Sequence, residues 1–211
     1  MSNIAFPTLS VLRDSPPSLK WELVSNTQVF TSELSGSMQT LELPGARWSC
    51  EVPWADLEED DAALLQAFLA KLRGQANRAL IYNWARSVPR GTINVSGVTI
   101  DSLVSPLAGP VAGATTVTFK GCGASKTLVT GDFFSIGTEL KLVVDGPYVA
   151  GVGGQMVNVA FEPPVRAAWS YGDPVVLTKP TCKMILSDPR GTWTTRPGKF
   201  TDVPMQFIEM F

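Results

Sequence analysis

The sequence predicts a mainly β protein with a single α-helix, and three observations point to that class. Glycine (18 residues) and proline (16 residues) are spread along the whole chain, which is typical of a fold with many turns. Trp48, Cys50 and Val52 alternate with polar residues, the period-two pattern of a half-buried strand. Only one segment, at about residues 57–73, has apolar residues at helical spacing.

Charged residues bracket that one predicted helix. The acidic run from Asp56 to Asp61 precedes the apolar positions, and Lys71, Arg73 and Gly74 follow them. Acids near the first turn and bases near the last complement the helix dipole, and glycine suits a C-cap. The acidic run is therefore interpreted as a helix start and not as a catalytic carboxylate cluster.

The ends of the chain also carry strand patterns. Trp21, Leu23 and Val29 predict a first strand pair with its turn at residues 25–27. The last nine residues are apolar on both faces, and Pro204 argues against a central position in a sheet near the start of this strand. A terminal strand that is apolar on both faces either closes the core of its own domain or docks on a neighbouring molecule.

A change in composition predicts two domains. Beyond a connector at about residues 85–92 the chain is nearly free of charge, and short apolar runs alternate with turns up to about residue 180. That rhythm is typical of a small sandwich or barrel. We expect residues 1–90 and 181–211 to form one β domain with the helix, and residues 91–180 to form an inserted small β-barrel domain.

Composition excludes several classes of function. The chain has no histidine, which removes His-based catalytic triads and His-ligated zinc. Its three cysteines are far apart, so no cofactor or metal is expected. A net charge of −2 without a basic cluster argues against nucleic acid. No apolar run is long enough for a membrane span, and no signal peptide is recognisable, so folding in a cytoplasm is expected.

Six short segments follow one another along about residues 35–190: Leu43–Trp48, Leu64–Gly74, Gln75–Arg78, Val88–Thr92, Gly131–Ile136 and Pro180–Leu186. In this order and spacing the chain resembles the tail-tip or distal tail proteins of siphophages and prophages. The resemblance implies a sandwich or split barrel like that of the tail-tube module, flanked by one helix. It also implies a hexameric ring where the tail tube meets the tail-tip hub or baseplate, and hence a place in the virion. It implies no catalytic residue.

If such a ring forms, the strands from Leu34 to Val52 and the C-terminal strand are expected to build its interface. The residues predicted to line that interface are Leu41, Leu43, Trp48, Phe207, Ile208 and Phe211.

Two other classes of function stay open at this point. A receptor- or glycan-binding module would use exposed aromatic side chains as stacking platforms, and the candidates are Trp84, Tyr148, Trp169 and Tyr171. A carboxylate-dependent hydrolase acting on the cell wall would need a second positioned acid, for which the sequence offers no recognisable frame.

Overall fold

The computed structural model describes residues 2–10, 15–102 and 108–211. The prediction of a mainly β fold is confirmed, with 41% strand, 8% helical residues and a single α-helix. The early elements are β1 (Asn3–Ala5), β2 (Lys20–Val24), β3 (Thr27–Thr31), β4 (Met38–Glu42), β5 (Arg47–Leu57), α1 (Glu59–Leu72) and β6 (Arg78–Tyr82). A 3-10 turn follows at Trp84–Arg86.

The middle of the chain holds short strands only. They are β7 (Thr99–Asp101), β8 (Thr116–Lys120), β9 (Thr127–Leu128), β10 (Phe133–Ile136), β11 (Glu139–Val143), β12 (Tyr148–Val149), β13 (Met156–Glu162) and β14 (Val175–Val176). The last strands are β15 (Thr181–Leu186), β16 (Thr194–Thr195) and β17 (Thr201–Glu209).

One sheet joins the two ends of the chain. Its strand order is β1-β6-β15-β17-β5-β2, with β16 added beside β17. The predicted alternation in β5 is confirmed, because Trp48, Cys50 and Val52 are all buried. They share an apolar core with Leu65 and Phe68 of α1, so the helix packs on this sheet.

The helix begins two residues later than predicted. Leu57 is still the last residue of β5, and Glu58 is the N-cap of α1. Asp61 is buried because it accepts hydrogen bonds from the backbone N–H of Ser10 (3.0 Å) and from its hydroxyl (2.7 Å). The acidic run therefore starts the helix, and one of its members also ties down the N-terminal segment.

The prediction that Pro204 takes no central position near the start of the last strand is confirmed. β17 lies between β15 and β5. However, β15 pairs only with residues 207–209 and β16 only with residues 201–202, so Pro204 has a ladder partner on one side alone, namely Pro53 of β5. A residue that lacks an N–H is tolerated there because the strand is locally an edge. The C-terminal strand thus closes the core of its own chain.

A second sheet is built from the middle of the chain, in the order β14-β10-β11-β13-β8-β7. Its core draws on residues between Ile93 and Leu177. The expected barrel is not closed by a continuous ladder: the end strands β7 and β14 are joined by an isolated bridge from Thr99 to Pro174 and by a few backbone hydrogen bonds around it, such as that from the N–H of Val175 to the carbonyl of Val98 (2.9 Å). β14 is only two residues long, so the contact between the two end strands stays short. The division into domains 1–90 with 181–211 and 91–180 stays a prediction.

Candidate assembly surfaces

The N-terminal quarter of the chain builds a β arm, which we define as residues 25–46. Sequence patterns predicted that β2 and β3 pair with each other, and this was wrong. β2 pairs with β5, whereas β3 pairs only with β4 in a separate two-stranded sheet. The chain therefore leaves the large sheet after Val24, runs out along β3 and returns along β4 to β5.

Hydrogen bonds hold the two strands of the β arm together at its base, next to the large sheet. The backbone N–H of Leu43 donates to the carbonyl of Asn26 (2.8 Å), and the side-chain amide of Asn26 donates to the carbonyl of Pro44 (2.8 Å). At the tip, Ser32 N–H donates to the carbonyl of Ser37 (2.9 Å). The arm is therefore a defined hairpin that continues the β2–β5 pair.

Both faces of the arm expose apolar side chains. The register places Phe30 diagonally opposite Leu41 on one face, and Val29 diagonally opposite Met38 on the other. All four side chains are at least half exposed, and Leu34 at the tip is fully exposed. A two-stranded hairpin without a covered face is only marginally stable in water, so this arm has the composition of an element that needs a partner surface.

The edge strand β2 supports the arm but carries charges of its own. In the described residues it pairs only with β5. Lys20 forms ion pairs with Glu22 (2.8 Å) and with Glu51 (3.6 Å), and charged edge residues resist strand addition. The neighbouring Leu23 and Val24 are exposed and extend the apolar surface toward the arm.

The six predicted interface residues divide into three groups by exposure. Trp48 and Phe207 are buried in the core of the chain itself and offer no surface to a partner in this conformation, which corrects their assignment. Leu41 and Phe211 are exposed, while Leu43 and Ile208 are partly buried. The exposed candidates therefore lie at two places, on the arm and at the C-terminus.

The C-terminus is held by arginines that sequence patterns did not single out. The guanidinium of Arg166 lies 4.0 Å from the ring centroid of Phe211, and that of Arg47 lies 5.3 Å from it. Arg166 also pairs with the buried carboxylate of Glu209 (Nη2–Oε2 2.6 Å), which accepts from the backbone N–H of Trp48 (2.9 Å). Cation–π contacts and a buried ion pair thus fix the end of β17.

A second buried cation lies close to this one. The ammonium of Lys141 is fully buried; it contacts Glu139 (2.9 Å) and donates to the carbonyl of Pro164 (2.8 Å). Burial lowers its pKa, and Glu139 partly offsets that effect. Such a lysine resembles a general base chemically, but Lys141 lines neither the cavity at Phe6–Leu9 nor the one beside Pro53. Its contacts are those of a structural ion pair.

The predicted stacking platforms are mostly occupied within the chain. Trp84 and Trp169 are buried, and Trp169 stacks on Phe161 (centroids 5.6 Å apart). The hydroxyl of Tyr148 accepts from the backbone N–H of Ala160 (2.9 Å). Only Tyr171 is exposed, with the ammonium of Lys120 3.7 Å from its ring centroid.

The described residues offer neither a metal site nor a membrane-spanning helix. The described residues contain no cluster of metal-ligating side chains, and their three cysteines are free and buried. Within the same residues no helix has the length and apolarity needed to cross a bilayer. A comparison with known proteins finds neither a family that the chain matches nor a curated relative.

Proposed function

We propose that this chain is a structural subunit of the tail tip of a long-tailed phage. It forms a homo-oligomeric ring, of six copies, that joins the tail tube to the tail-tip hub or baseplate. The observation that carries the assembly part of this proposal is the β arm with its two uncovered apolar faces. The place in a phage tail rests on the resemblance of the segments between residues 43 and 186.

The arm supports assembly for an energetic reason. Covering the side chains of Phe30, Leu41, Val29 and Met38 would remove apolar surface from water, at about 25 cal/mol per Å². Within the described residues that gain is not realised, because β3 and β4 pair only with each other and these four side chains stay at least half exposed. A neighbouring copy supplies the missing surface, and six symmetric copies close into a ring in which every arm is covered.

The rest of the fold supports a passive, rigid subunit. The arm is continuous with the paired strands β2 and β5 of the large sheet, and the C-terminal strand pairs with β5 inside that sheet. We propose that the segment 91–180 projects from the ring and that the chain carries no catalytic step. The ring would be assembled in the host cytoplasm with the tail tube protein and the hub as partners, and would involve neither nucleic acid nor a membrane span.

Two measurements test the proposal in turn. Native mass spectrometry and negative-stain imaging of the purified chain are expected to show a closed ring of identical copies. Immunogold labelling of purified phage particles is expected to place the chain at the distal end of the tail. A purified chain that stays monomeric at all concentrations would overturn the proposed ring. A chain that forms a ring but is absent from purified phage particles would overturn only its assignment to the tail.

A further inference from the structure

A groove opens beside the last strand, where the pairing on one side of β17 changes from β15 to β16. β15 pairs with residues 207–209 and β16 with residues 201–202, so residues 203–205 have no strand partner on that side within the described residues. The groove has a volume of about 310 Å³. The residues that line it include Pro53, Leu69, Leu186, Thr192, Pro204 and Met205. We propose that this groove, the β17 groove, receives the tip of the β arm of a second copy of the chain.

The walls of the β17 groove are held in place by contacts within the chain. The backbone of Gly191 packs on Leu69 of α1, since a Cβ at that glycine would lie 3.3 Å from the Cβ of Leu69. The side-chain amide of Gln75 donates to the carbonyl of Leu186 (2.8 Å), which ties the end of β15 to the segment after the helix. A groove with such walls needs little reorganisation to accept a side chain.

Two prolines make the groove a poor site for an added strand. Pro53 and Pro204 lie opposite each other in the ladder between β5 and β17. Proline has no N–H, so a strand that entered the gap would find no backbone donor at Pro204, in the middle of it. The β17 groove is therefore suited to an apolar side chain and not to strand addition.

The tip of the β arm, residues 32–37, presents such a side chain. Leu34 is fully exposed. The N–H of Ser32 donates to the carbonyl of Ser37 (2.9 Å), and the N–H of Gly36 donates to that of Ser32 (2.9 Å), so the turn has a defined shape. The groove is larger than the roughly 150 Å³ of an engineered cavity that holds benzene, so a leucine side chain fits inside it.

The groove ends beside two cations of α1 that have no counter-charge. Arg73 is the C-cap of the helix, and the backbone of Gly74 lies against Pro189, between two residues that line the groove. Lys71 is in the last turn. Both side chains are exposed and form no ion pair with an acid of the described residues, whereas the two acids that line the groove are each paired with a cation of the chain. This end of the groove therefore carries a net positive charge.

The arm supplies the opposite charge. It contains Glu33 and Glu42 and has no lysine or arginine. Glu33 is next to Leu34, so the tip combines one uncovered apolar side chain with one carboxylate. With Leu34 in the groove, we expect the carboxylate of Glu33 to pair with Arg73. Such complementary charges fix the orientation of a contact and exclude wrong partners.

The tip that fills the groove must belong to another copy. The arm leaves the large sheet after Val24 and returns at Arg47, whereas the groove lies further along β5, at Pro53. Leu34 is fully exposed, so the groove of its own chain does not cover it. Because the tip and the groove are different surfaces, the contact is head-to-tail, and its repetition around an axis closes a ring. This inference rests on the proposed function and names the surface that receives the arm.

An exchange of charges across the contact tests the inference. The concentration at which half of the chain is assembled is measured by native mass spectrometry. Glu33→Arg and Arg73→Glu are each expected to raise it roughly tenfold or more, because each places like charges together. The double variant Glu33→Arg/Arg73→Glu restores opposite charges and should recover association. Glu33→Arg/Lys126→Glu, which introduces its glutamate at an exposed lysine outside the groove, should not.

A variant of the apolar contact completes the test. Leu34→Thr is expected to raise the same concentration roughly tenfold or more, the scale of one leucine returned to water. All the altered side chains are exposed, so circular dichroism should be unchanged. If the unmodified chain assembles but the charge exchange does not recover association, or Leu34→Thr assembles as readily as the unmodified chain, the β17 groove is not the acceptor and the ring still stands. A chain that stays monomeric at all concentrations would overturn both the groove and the ring.

Discussion

The guanidinium of Arg166 forms a two-pronged ion pair with the carboxylate of Glu209. The pair joins the segment after β13 to the last strand of the large sheet, and both side chains are largely buried. Arg166 also donates to the carbonyl of Ala46 (2.8 Å), next to the start of β5. Arg166 thus links the middle of the chain to the C-terminus and to Ala46, the last residue of the β arm.

Replacing Arg166 by Met should lower the free energy of unfolding by about 3 kcal/mol, because a buried carboxylate would lose its counter-charge. Urea unfolding followed by tryptophan fluorescence measures the change. Arg190→Met is the matched control, since its pair with Asp188 is exposed and exposed pairs contribute little. Equal unfolding midpoints for the two variants would contradict the structural role of the Arg166 pair.

The buried ammonium of Lys141 should make stability depend on pH. Its pKa is lowered in the folded chain by burial, so between that lowered value and about 10.5 the unfolded chain binds more protons. Stability contributed by this group therefore rises with pH across that window and is lowest below it.

The check on Lys141 is a comparison of slopes. The free energy of unfolding is measured against pH for the unmodified chain and for Lys141→Met. As the pH rises toward 10.5, the free energy of unfolding of the unmodified chain should increase relative to that of Lys141→Met. Curves that stay parallel over this window would show that Lys141 is not desolvated in the folded chain.

The three cysteines should be unreactive in the folded chain. Burial raises the pKa of all three thiols, and that of Cys122 reaches about 11. Since the thiolate is the reactive form, a thiol reagent at neutral pH should label none of Cys50, Cys122 and Cys182 before unfolding and all of them afterwards. Rapid labelling of the native protein would contradict this prediction, because at least one of the three thiols would then be accessible to solvent.

The parts of the fold that follow from local pattern were predictable from the sequence. The alternation of Trp48, Cys50 and Val52 predicts β5, and the spacing from Leu64 to Leu72 predicts α1. Periodicity says which face is buried but not which strand is the neighbour, so the pairing of β2 with β5 instead of β3 was missed. The one-sided pairing of Pro204 was predictable, but the residues at which β15 and β16 stop, and which leave its other side unpaired, were not.

The candidate sites were less predictable than the fold. The apolar residues of the arm were visible in the sequence, but strand pattern alone did not separate Leu41 on the arm from Trp48 in the core. Arg166 and Lys141 gave no local signal, because Glu209, the ion-pair partner of Arg166, and Pro164, whose carbonyl accepts from Lys141, are distant in the chain. Tertiary proximity of single charged residues leaves no periodicity to detect.

Removing residues 205–211 should unfold the chain and not merely prevent assembly. Phe207 is fully buried, and loss of such a side chain alone costs about 3–5 kcal/mol. Circular dichroism and thermal unfolding of this truncation measure the effect. Deletion of Phe211 alone is the control: it removes only a ring that lies over Arg166 and Arg47, so that variant should stay folded. A native-like spectrum for the longer truncation would contradict the central place of β17.

The central claim is that the β arm drives association between copies of the chain. The variant Phe30→Thr/Leu41→Thr removes the apolar pair of one face, and Val29→Thr/Met38→Thr removes that of the other. Threonine keeps the preference for strands, so the arm itself should persist. The control is Val152→Thr, a fully exposed apolar residue outside the arm.

Native mass spectrometry of these chains at equal concentration tests that claim most directly. The unmodified chain and the Val152→Thr control should give the same closed oligomer. At least one arm variant should give folded monomers, with circular dichroism unchanged. A monomeric unmodified chain, or an oligomer that survives in both arm variants, would contradict the assembly role of the β arm.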